Sequence, residues 1–184
     1  MASTFKRSAS RGFTLIELLI VVIILAILAA IAIPQFSSST SDAQLSALDA
    51  NLATVRSALE QYKVQHKNVY PGDKAASGGT CAVGTASSAT AGTAAALDAQ
   101  LKGYSNADGQ VCDAPNDTYK YGPYLRQGVP AEPINNSKAV VVTTAGTQLA
   151  PAAATGGWAY DTKSGQFVMN SNAQDANKTA YSAH

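Results

Sequence analysis

The pattern of apolar and polar positions divides the N-terminal third of the chain into distinct stretches. Residues 13–33 are almost wholly apolar, and Glu17 is the single charged residue among them. A helix rises about 1.5 Å per residue, so this stretch would extend roughly 31 Å, close to the hydrocarbon thickness of a bilayer. The pattern therefore predicts a membrane-spanning helix over residues 13–33.

A second apolar pattern follows, with steps of three and four residues. Its members are Leu45, Leu48, Leu52, Val55, Leu59 and Tyr62. This spacing is typical of one face of an amphipathic helix. Pro34 lies between the two patterns, and a proline removes one backbone hydrogen bond and crowds the preceding turn. We therefore expect a long helix over residues 13–66, with a kink or a locally melted turn at Pro34.

Beyond residue 67 the predicted elements are short. A helix is predicted over Ala94–Lys102, with Leu97 and Leu101 facing inward, after a long loop of small polar residues. Strand patterns occur at residues 139–144, 157–161 and 166–170. The last two are predicted to form a hairpin. The fold class that follows is α+β, with the long helix packed on a small antiparallel sheet and a mobile polar tail after residue 172.

Charge is unevenly distributed along the chain. There are 13 Lys and Arg residues and 12 Asp and Glu residues. Three of the cations, Lys6, Arg7 and Arg11, precede the apolar stretch, and the positive-inside rule would keep them in the cytoplasm and send the rest of the chain across the membrane. Without these three the net charge is 10 minus 12, or −2. That balance gives no electrostatic reason to expect nucleic acid as a partner.

The residues at the start of the apolar stretch form a specific combination. Gly12 ends the basic leader, Phe13 opens the apolar stretch, and Glu17 follows one helical turn later. Together with Pro34, this region resembles the N-terminus of type IV pilins and of the pseudopilins of type II secretion. The resemblance covers residues 11–36. It implies cleavage after Gly12 by a prepilin peptidase, N-methylation of Phe13 and polymerisation through the apolar helix.

Glu17 needs an explanation, because an apolar span excludes charge that has no role. Cleavage after Gly12 would leave Phe13 with a free α-amine, which is charged at neutral pH. A buried carboxylate is tolerated when a cation pairs with it, and such a pair also fixes the register of packed helices. We therefore predict that Glu17 pairs with the Phe13 amine of its own or a neighbouring subunit during assembly.

The resemblance also implies a domain organisation, a location and partners. Residues 1–12 would be a cleaved leader, residues 13–66 the long helix with its transmembrane half at 13–33, and residues 67–184 a pilin-like head. The chain would be a single-pass inner-membrane protein before assembly and part of an extracellular filament afterwards. Its partners would be further copies of itself, the prepilin peptidase and methyltransferase, and the inner-membrane assembly machinery. The filament would serve adhesion, twitching motility or uptake.

Two alternatives to a pilus subunit remain open. A pseudopilin of type II secretion would share the same N-terminus, and its family binds calcium near the sheet. In this chain Glu132 and Asn135 fall in the corresponding region, but the local sequence departs from the Asp-Pro-Trp-Gly pattern of that family. The other alternative is a secreted, non-filament protein with an ordinary signal peptide cut near Ala32. That alternative leaves Glu17 without a role.

The remaining chemistry-bearing residues are few. Cys81 and Cys112 would form a disulfide if the head lies outside the cytoplasm, and closing a loop of about 30 residues would stabilise the fold by roughly 3–4 kcal/mol. His66 and His184 have no metal or triad spacing, and no nucleotide-binding or hydrolase motif is present. We therefore predict no enzyme activity, cofactor or metal.

Two further patterns have an ordinary interpretation and a functional one. The oxygen-rich residues 106–117 could bind Ca²⁺, but their Asp-Gly and Asn-Asp pairs are common in turns. Three triplets match the N-glycosylation pattern, and such triplets often occur by chance. They begin at Asn116, Asn135 and Asn177.

Overall fold

The computed structural model describes residues 12–184, except for the side chains of residues 32–38. The predicted leader cations therefore lie outside the described residues. Contacts within the chain define two compact units, which divide between Ala43 and Gln44. Each unit is described by itself below.

Helix α1 spans Leu15–Gln65, close to the predicted range of 13–66. Its helical backbone continues through position 34, so no melted turn occurs there. The proline ring itself lies outside the described side chains, and the kink at Pro34 stays a prediction.

The core of the head forms where the second half of α1 meets a sheet. The apolar stripe predicted from the sequence is buried from Leu48 to Tyr62, whereas Leu45 is half-buried. Helix α2, Ala94–Lys102, has the predicted bounds and adds Leu97 and Leu101 to the same core. The hydroxyl of Thr93 caps this helix by accepting a hydrogen bond from the Ala96 N–H at 3.1 Å.

Five short strands complete the head. They are β1 (Tyr104–Ser105), β2 (Val111–Cys112), β3 (Val140–Thr143), β4 (Trp158–Asp161) and β5 (Phe167–Met169). Strands β1 and β2 form a small antiparallel pair, and β3, β4 and β5 form a sheet in that order. Trp158, Tyr160, Phe167 and Met169 project from the sheet into the core around α1.

The α+β class is confirmed, and the three-stranded sheet is mixed. Strands β4 and β5 form the predicted antiparallel hairpin, whereas β3 pairs parallel to β4, with Val140 opposite Trp158. A parallel pair needs a connection of about a dozen residues or more, and residues 144–157 supply it. This connection is held against the hairpin, because the Leu149 N–H donates to Gln166 Oε1 at 2.6 Å.

The C-terminal residues fold back on the head, although the sequence predicts a mobile tail. The Tyr181 N–H donates to the Ala173 carbonyl at 2.9 Å, and a short 3₁₀ helix follows at Tyr181–Ala183. The guanidinium of Arg56 on α1 donates at 2.9 Å to both the Phe167 carbonyl on β5 and the His184 carbonyl. The tail is thereby anchored beside the outer edge of β5.

Candidate assembly and processing site

Thr14 and Glu17 form a reciprocal cap at the start of α1. The Thr14 N–H donates to Glu17 Oε2 at 2.8 Å, and the Thr14 hydroxyl donates to the same oxygen at 2.7 Å. In return, the Glu17 N–H donates to the Thr14 hydroxyl oxygen at 3.3 Å. This arrangement is a capping box, which satisfies helix N–H groups that have no partner within the helix. In the single chain, the carboxylate of Glu17 therefore already has a structural partner.

The capping box has a signature in the sequence. A Thr followed three residues later by Glu, immediately before an apolar run, is its signature. Thr14 was overlooked as a partner of Glu17. The predicted partner, the Phe13 amine, does not exist in the uncleaved chain because the Gly12–Phe13 peptide bond is intact.

Gly12 and Phe13 are both accessible for processing. Phe13 is largely exposed, and a Cβ atom placed on Gly12 would meet no atom of the described residues within 4 Å. The described residues therefore impose no steric need for glycine at position 12. A requirement for glycine there would have to come from a molecule that acts on this bond.

The first half of α1 carries a run of large apolar side chains that are exposed among the described residues. Fourteen large apolar side chains between Phe13 and Ile31 are exposed by 51–86%. Soluble monomeric proteins rarely expose contiguous apolar patches of this extent, and such patches mark sites of protein or membrane contact.

In the described part of the chain, no helix combines the length and the apolar character that crossing a membrane requires. The predicted span of residues 13–33 includes Ala32 and Ile33, whose side chains the structure does not describe.

The predicted cysteine pair is joined in the head. Cys81 lies in the long loop before α2, and Cys112 lies on β2, where it is fully buried. Their disulfide closes a segment that contains α2 and β1. This covalent link joins the loop before α2 to β2, in addition to backbone hydrogen bonds such as that from the Ser87 N–H to the Val111 carbonyl at 3.0 Å.

The oxygen-rich segments are engaged in backbone contacts. The buried carboxylate of Glu132 accepts hydrogen bonds from the N–H groups of Ile134 at 2.7 Å and Asn135 at 2.9 Å. Asn106 Oδ1 likewise accepts hydrogen bonds from the N–H groups of Asp108 and Gln110. These contacts are typical of a turn, as the ordinary interpretation of that segment predicts. Within the described residues, no group of three or more His, Cys, Asp or Glu side chains is placed to hold a metal ion.

Comparisons with known proteins match the N-terminal region of the chain. Residues 7–33 match the family model of the prokaryotic N-terminal methylation motif. The type IV narrow pilus major component PilA5 of Thermus thermophilus is 48% identical over 60 residues, which cover 33% of this chain and 52% of that protein. No solved structure matches the chain at a significant level.

Two further relatives come from type II secretion and from type IV fimbriae. The type II secretion system core protein G of Pseudomonas aeruginosa is 38% identical over 61 residues, or 33% of this chain and 43% of that protein. The type IV major fimbrial protein FimA of Dichelobacter nodosus is 48% identical over 54 residues, or 29% of this chain and 35% of that protein. The chain thus spans about half or less of the length of these curated relatives. Its N-terminal third is similar to both type IV pilins and type II secretion pseudopilins.

Proposed function

We infer that this chain is a structural subunit of a type IV pilus-like filament, and not an enzyme. The observation that carries this proposal is the contrast within α1. Its second half is buried in the core of the head, whereas its first half exposes apolar side chains from Phe13 to Ile31. Burying one such Leu, Ile or Phe side chain contributes about 1.5–3 kcal/mol. Packing the first halves of many copies together would therefore provide a large driving force for polymerisation.

Glu17 would give this apolar association a defined register. A carboxylate buried among apolar helices costs several kcal/mol unless a cation pairs with it. After cleavage between Gly12 and Phe13, the new amine of Phe13 would lie next to Thr14, whose N–H donates to the Glu17 carboxylate at 2.8 Å. The carboxylate could then bind the amine of its own chain or of a neighbour. We propose that one such pair per subunit sets the axial position in the filament.

The processing and membrane steps follow from the N-terminal motif. A prepilin peptidase would remove residues 1–12, and its methyltransferase activity would methylate Phe13. Before assembly, residues 13–33 would insert in the inner membrane, with the head on the outer side. The disulfide between Cys81 and Cys112 suits that side, since disulfides persist in oxidising compartments. The inner-membrane assembly machinery would then move the subunit from the bilayer into the filament.

The second candidate is a pseudopilin of type II secretion, and one observation favours it. The secretion core protein G of Pseudomonas aeruginosa is similar to the same N-terminal third. In this chain, however, the Glu132 carboxylate is used by the N–H groups of its own loop. The head therefore offers no specific support for the calcium-binding pattern expected of that branch, and a pilus-like subunit remains the preferred function.

An ordinary signal peptide is the least supported alternative. It would be cut near Ala32, within the continuous helix α1. The similarity to the three relatives also extends over 54 to 61 residues. A cleavable signal peptide would not need an extended helix or a glutamate at position 17.

The test is to compare Glu17→Ala with Thr14→Ala and Glu60→Ala in cells that carry the assembly machinery. Both Glu17→Ala and Thr14→Ala disrupt the cap, but only Glu17→Ala removes the carboxylate. Glu60→Ala removes an exposed carboxylate from the same helix within the head. We expect sheared filaments from the wild type, Thr14→Ala and Glu60→Ala, and none from Glu17→Ala, whose processed chain should remain in the membrane.

Mass spectrometry of the sheared fraction gives the second readout. A chain that begins at N-methylated Phe13 and is abundant in that fraction would support a surface pilus. The same processed chain confined to the cell envelope would favour a pseudopilin. Normal filaments from Glu17→Ala would contradict the register role, and a chain beginning at Ile33 would contradict the whole proposal.

A further inference from the structure

The three triplets of the N-glycosylation pattern are equivalent in sequence, but the fold places them in different environments. An acceptor asparagine must present its side-chain amide on the surface, followed two residues later by a Ser or Thr hydroxyl. Both groups must be reachable from solvent. The structure therefore separates triplets that could function from triplets that occur by chance.

The triplet that begins at Asn116 is engaged in its own turn. Asn116 Oδ1 accepts hydrogen bonds from the N–H groups of Thr118 at 2.8 Å and Tyr119 at 2.9 Å. The Asn116 N–H also donates to the Tyr119 carbonyl at 3.2 Å. The side chain is half-buried, and withdrawing its amide would break the turn.

The triplet that begins at Asn135 is engaged at its third residue. The hydroxyl of Ser137 accepts a hydrogen bond from the Ala139 N–H at 3.3 Å. Asn135 itself is exposed, but its side-chain amide lies beside Gly156, where an added Cβ atom would be 2.6 Å from Asn135 Nδ2. One of the two recognition groups, the Ser137 hydroxyl, is therefore used by the fold.

The triplet that begins at Asn177 lies at the tip of a small, closed turn. The turn is closed at its base, where the Asp175 N–H donates to the Thr179 carbonyl at 2.9 Å. Asp175 Oδ1 accepts from the N–H groups of Asn177 and Thr179, both at 2.8 Å. These bonds use the backbone and leave the side chains at the tip free to face solvent.

Asn177, Lys178 and Thr179 are all exposed. Within the residues that the structure describes, neither the side-chain amide of Asn177 nor the hydroxyl of Thr179 has a hydrogen-bond partner. Of the three triplets, this one alone offers both recognition groups unengaged. Because all three residues at the tip are exposed, a bulky glycan on Asn177 would extend into solvent without disturbing the core.

We propose that Asn177 is an acceptor for an N-linked glycan, supplied by a polyprenyl-diphosphate-linked oligosaccharide. Asn177 Nδ2 forms a bond to the anomeric carbon of the sugar, and the bond from that carbon to the diphosphate oxygen breaks. The lipid diphosphate leaves with the electron pair, and the amide proton passes to the transferring enzyme. The proposal rests on the proposed function in one respect, since a head outside the cytoplasm would meet such donors.

The test uses the purified full-length chain in detergent, so that export and filament assembly do not affect the result. The folded chain is incubated with an oligosaccharide on a polyprenyl diphosphate carrier and with an oligosaccharyltransferase that requires only the Asn-X-Ser/Thr triplet. Intact-mass and peptide mass spectrometry then locate the glycan. A short peptide carrying the triplet serves as the positive control.

We expect one glycan per folded chain, and none on Asn177→Gln or Thr179→Ala. Asn116→Gln and Asn135→Gln should be modified as fully as the wild type. After reduction and proteolytic digestion, peptides carrying Asn116 and Asn135 should also become acceptors, which would show that the fold and not the triplet excludes them. No glycan on the folded wild type, or a glycan that persists in Asn177→Gln, would overturn the proposal.

Discussion

The two halves of α1 have similar residue types but opposite environments. Leu19 in the first half is 52% exposed, whereas Leu52 in the second half is 1% exposed. The difference lies in what each half packs against within the chain. The second half contacts a sheet and α2, whereas the described apolar side chains of the first half are exposed. A head that completes its own core can be stable before assembly, while the first half of the helix remains available to other copies.

The largest expected effect comes from separating the two halves. A chain that begins at Thr40 retains the whole compact unit from Gln44 onwards. We expect it to be soluble without detergent and monomeric, with the Tm of the full-length chain, but unable to enter membranes or filaments. Sedimentation and circular dichroism measure these properties. A truncated head that aggregates or melts far below the full-length chain would show that the head depends on the first half of α1.

Matched leucine substitutions test the same contrast at single positions. Leu52→Ala would leave a cavity in the core, and we expect it to lower the free energy of unfolding by about 3–5 kcal/mol. Leu19→Ala should leave the unfolding of the head unchanged. The near-ultraviolet signal of Trp158, which is fully buried, reports head unfolding in detergent. If Leu19→Ala and Leu52→Ala lowered the free energy of unfolding equally, the contrast between the two halves of α1 would be wrong.

The disulfide provides another test of the contrast between the two halves of α1, because we expect it to stabilise the head alone. Removing it with Cys81→Ser and Cys112→Ala should lower the free energy of unfolding of the head by about 3 kcal/mol, since the unfolded chain regains the entropy of an open loop. Thiol reductant should produce a similar loss in the wild type and none in the double variant. If reductant leaves wild-type unfolding unchanged, the link between Cys81 and Cys112 contributes little.

Elements with strong local patterns were predictable from the sequence. The stripe from Leu45 to Tyr62 predicted the second half of α1, and Leu97 and Leu101 were predicted to face inward from α2. The strand-like residues 157–161 and 166–170 predicted the hairpin. The parallel direction of β3 was not predictable, because it depends on how residues 144–157 cross, and these have no periodic pattern. Strands β1 and β2 contain two residues each, too few to show a period.

The candidate site was predictable only in part, for a different reason. Gly12, Phe13 and Glu17 were found from a specific motif, and the structure describes all three as exposed. Their predicted roles depend on a peptidase and on neighbouring subunits, which a single chain does not contain. The cap formed by Thr14 was local and could have been predicted. The burial of His66 could not have been predicted, because it depends on Ser105 and Tyr121, which are distant in sequence.

Asp161 gives the head a sensitivity to acid. Its oxygens accept hydrogen bonds from Thr143, Gly146 and Ser164 at 2.8–3.1 Å. Desolvation acts to raise the pKa of Asp161, but these hydrogen bonds outweigh it and lower the pKa to about 2. The stabilisation is therefore present above the unfolded pKa near 3.8 and is lost as the pH falls towards 2.

Asp161→Asn should remove this part of the acid dependence. At neutral pH it should also lower the free energy of unfolding by about 2 kcal/mol, because several N–H donors lose an ionised acceptor. Urea unfolding at pH 7, 4 and 2.5 measures both effects. Asp117→Asn, which removes an exposed carboxylate of the head, is the matched control. A wild-type slope between pH 4 and 2.5 that persists in Asp161→Asn would contradict the assignment.

His66 gives the smallest expected effect, in a separate pH window. Its ring stacks on Tyr62 with the ring centroids 3.7 Å apart, Nδ1–H donates to the Tyr62 carbonyl at 2.7 Å, and Nε2 lies 2.9 Å from the Ser105 hydroxyl. Desolvation lowers the pKa of His66 below 6.5. The unfolded state therefore binds a proton first as the pH falls, and stability is lost from about pH 6.5 downwards.

His66→Gln should flatten the profile of unfolding free energy between pH 7 and 5, while leaving the loss near pH 3 that depends on Asp161. If both losses disappear together in His66→Gln, the two groups titrate as one cooperative unit and the separate windows are wrong.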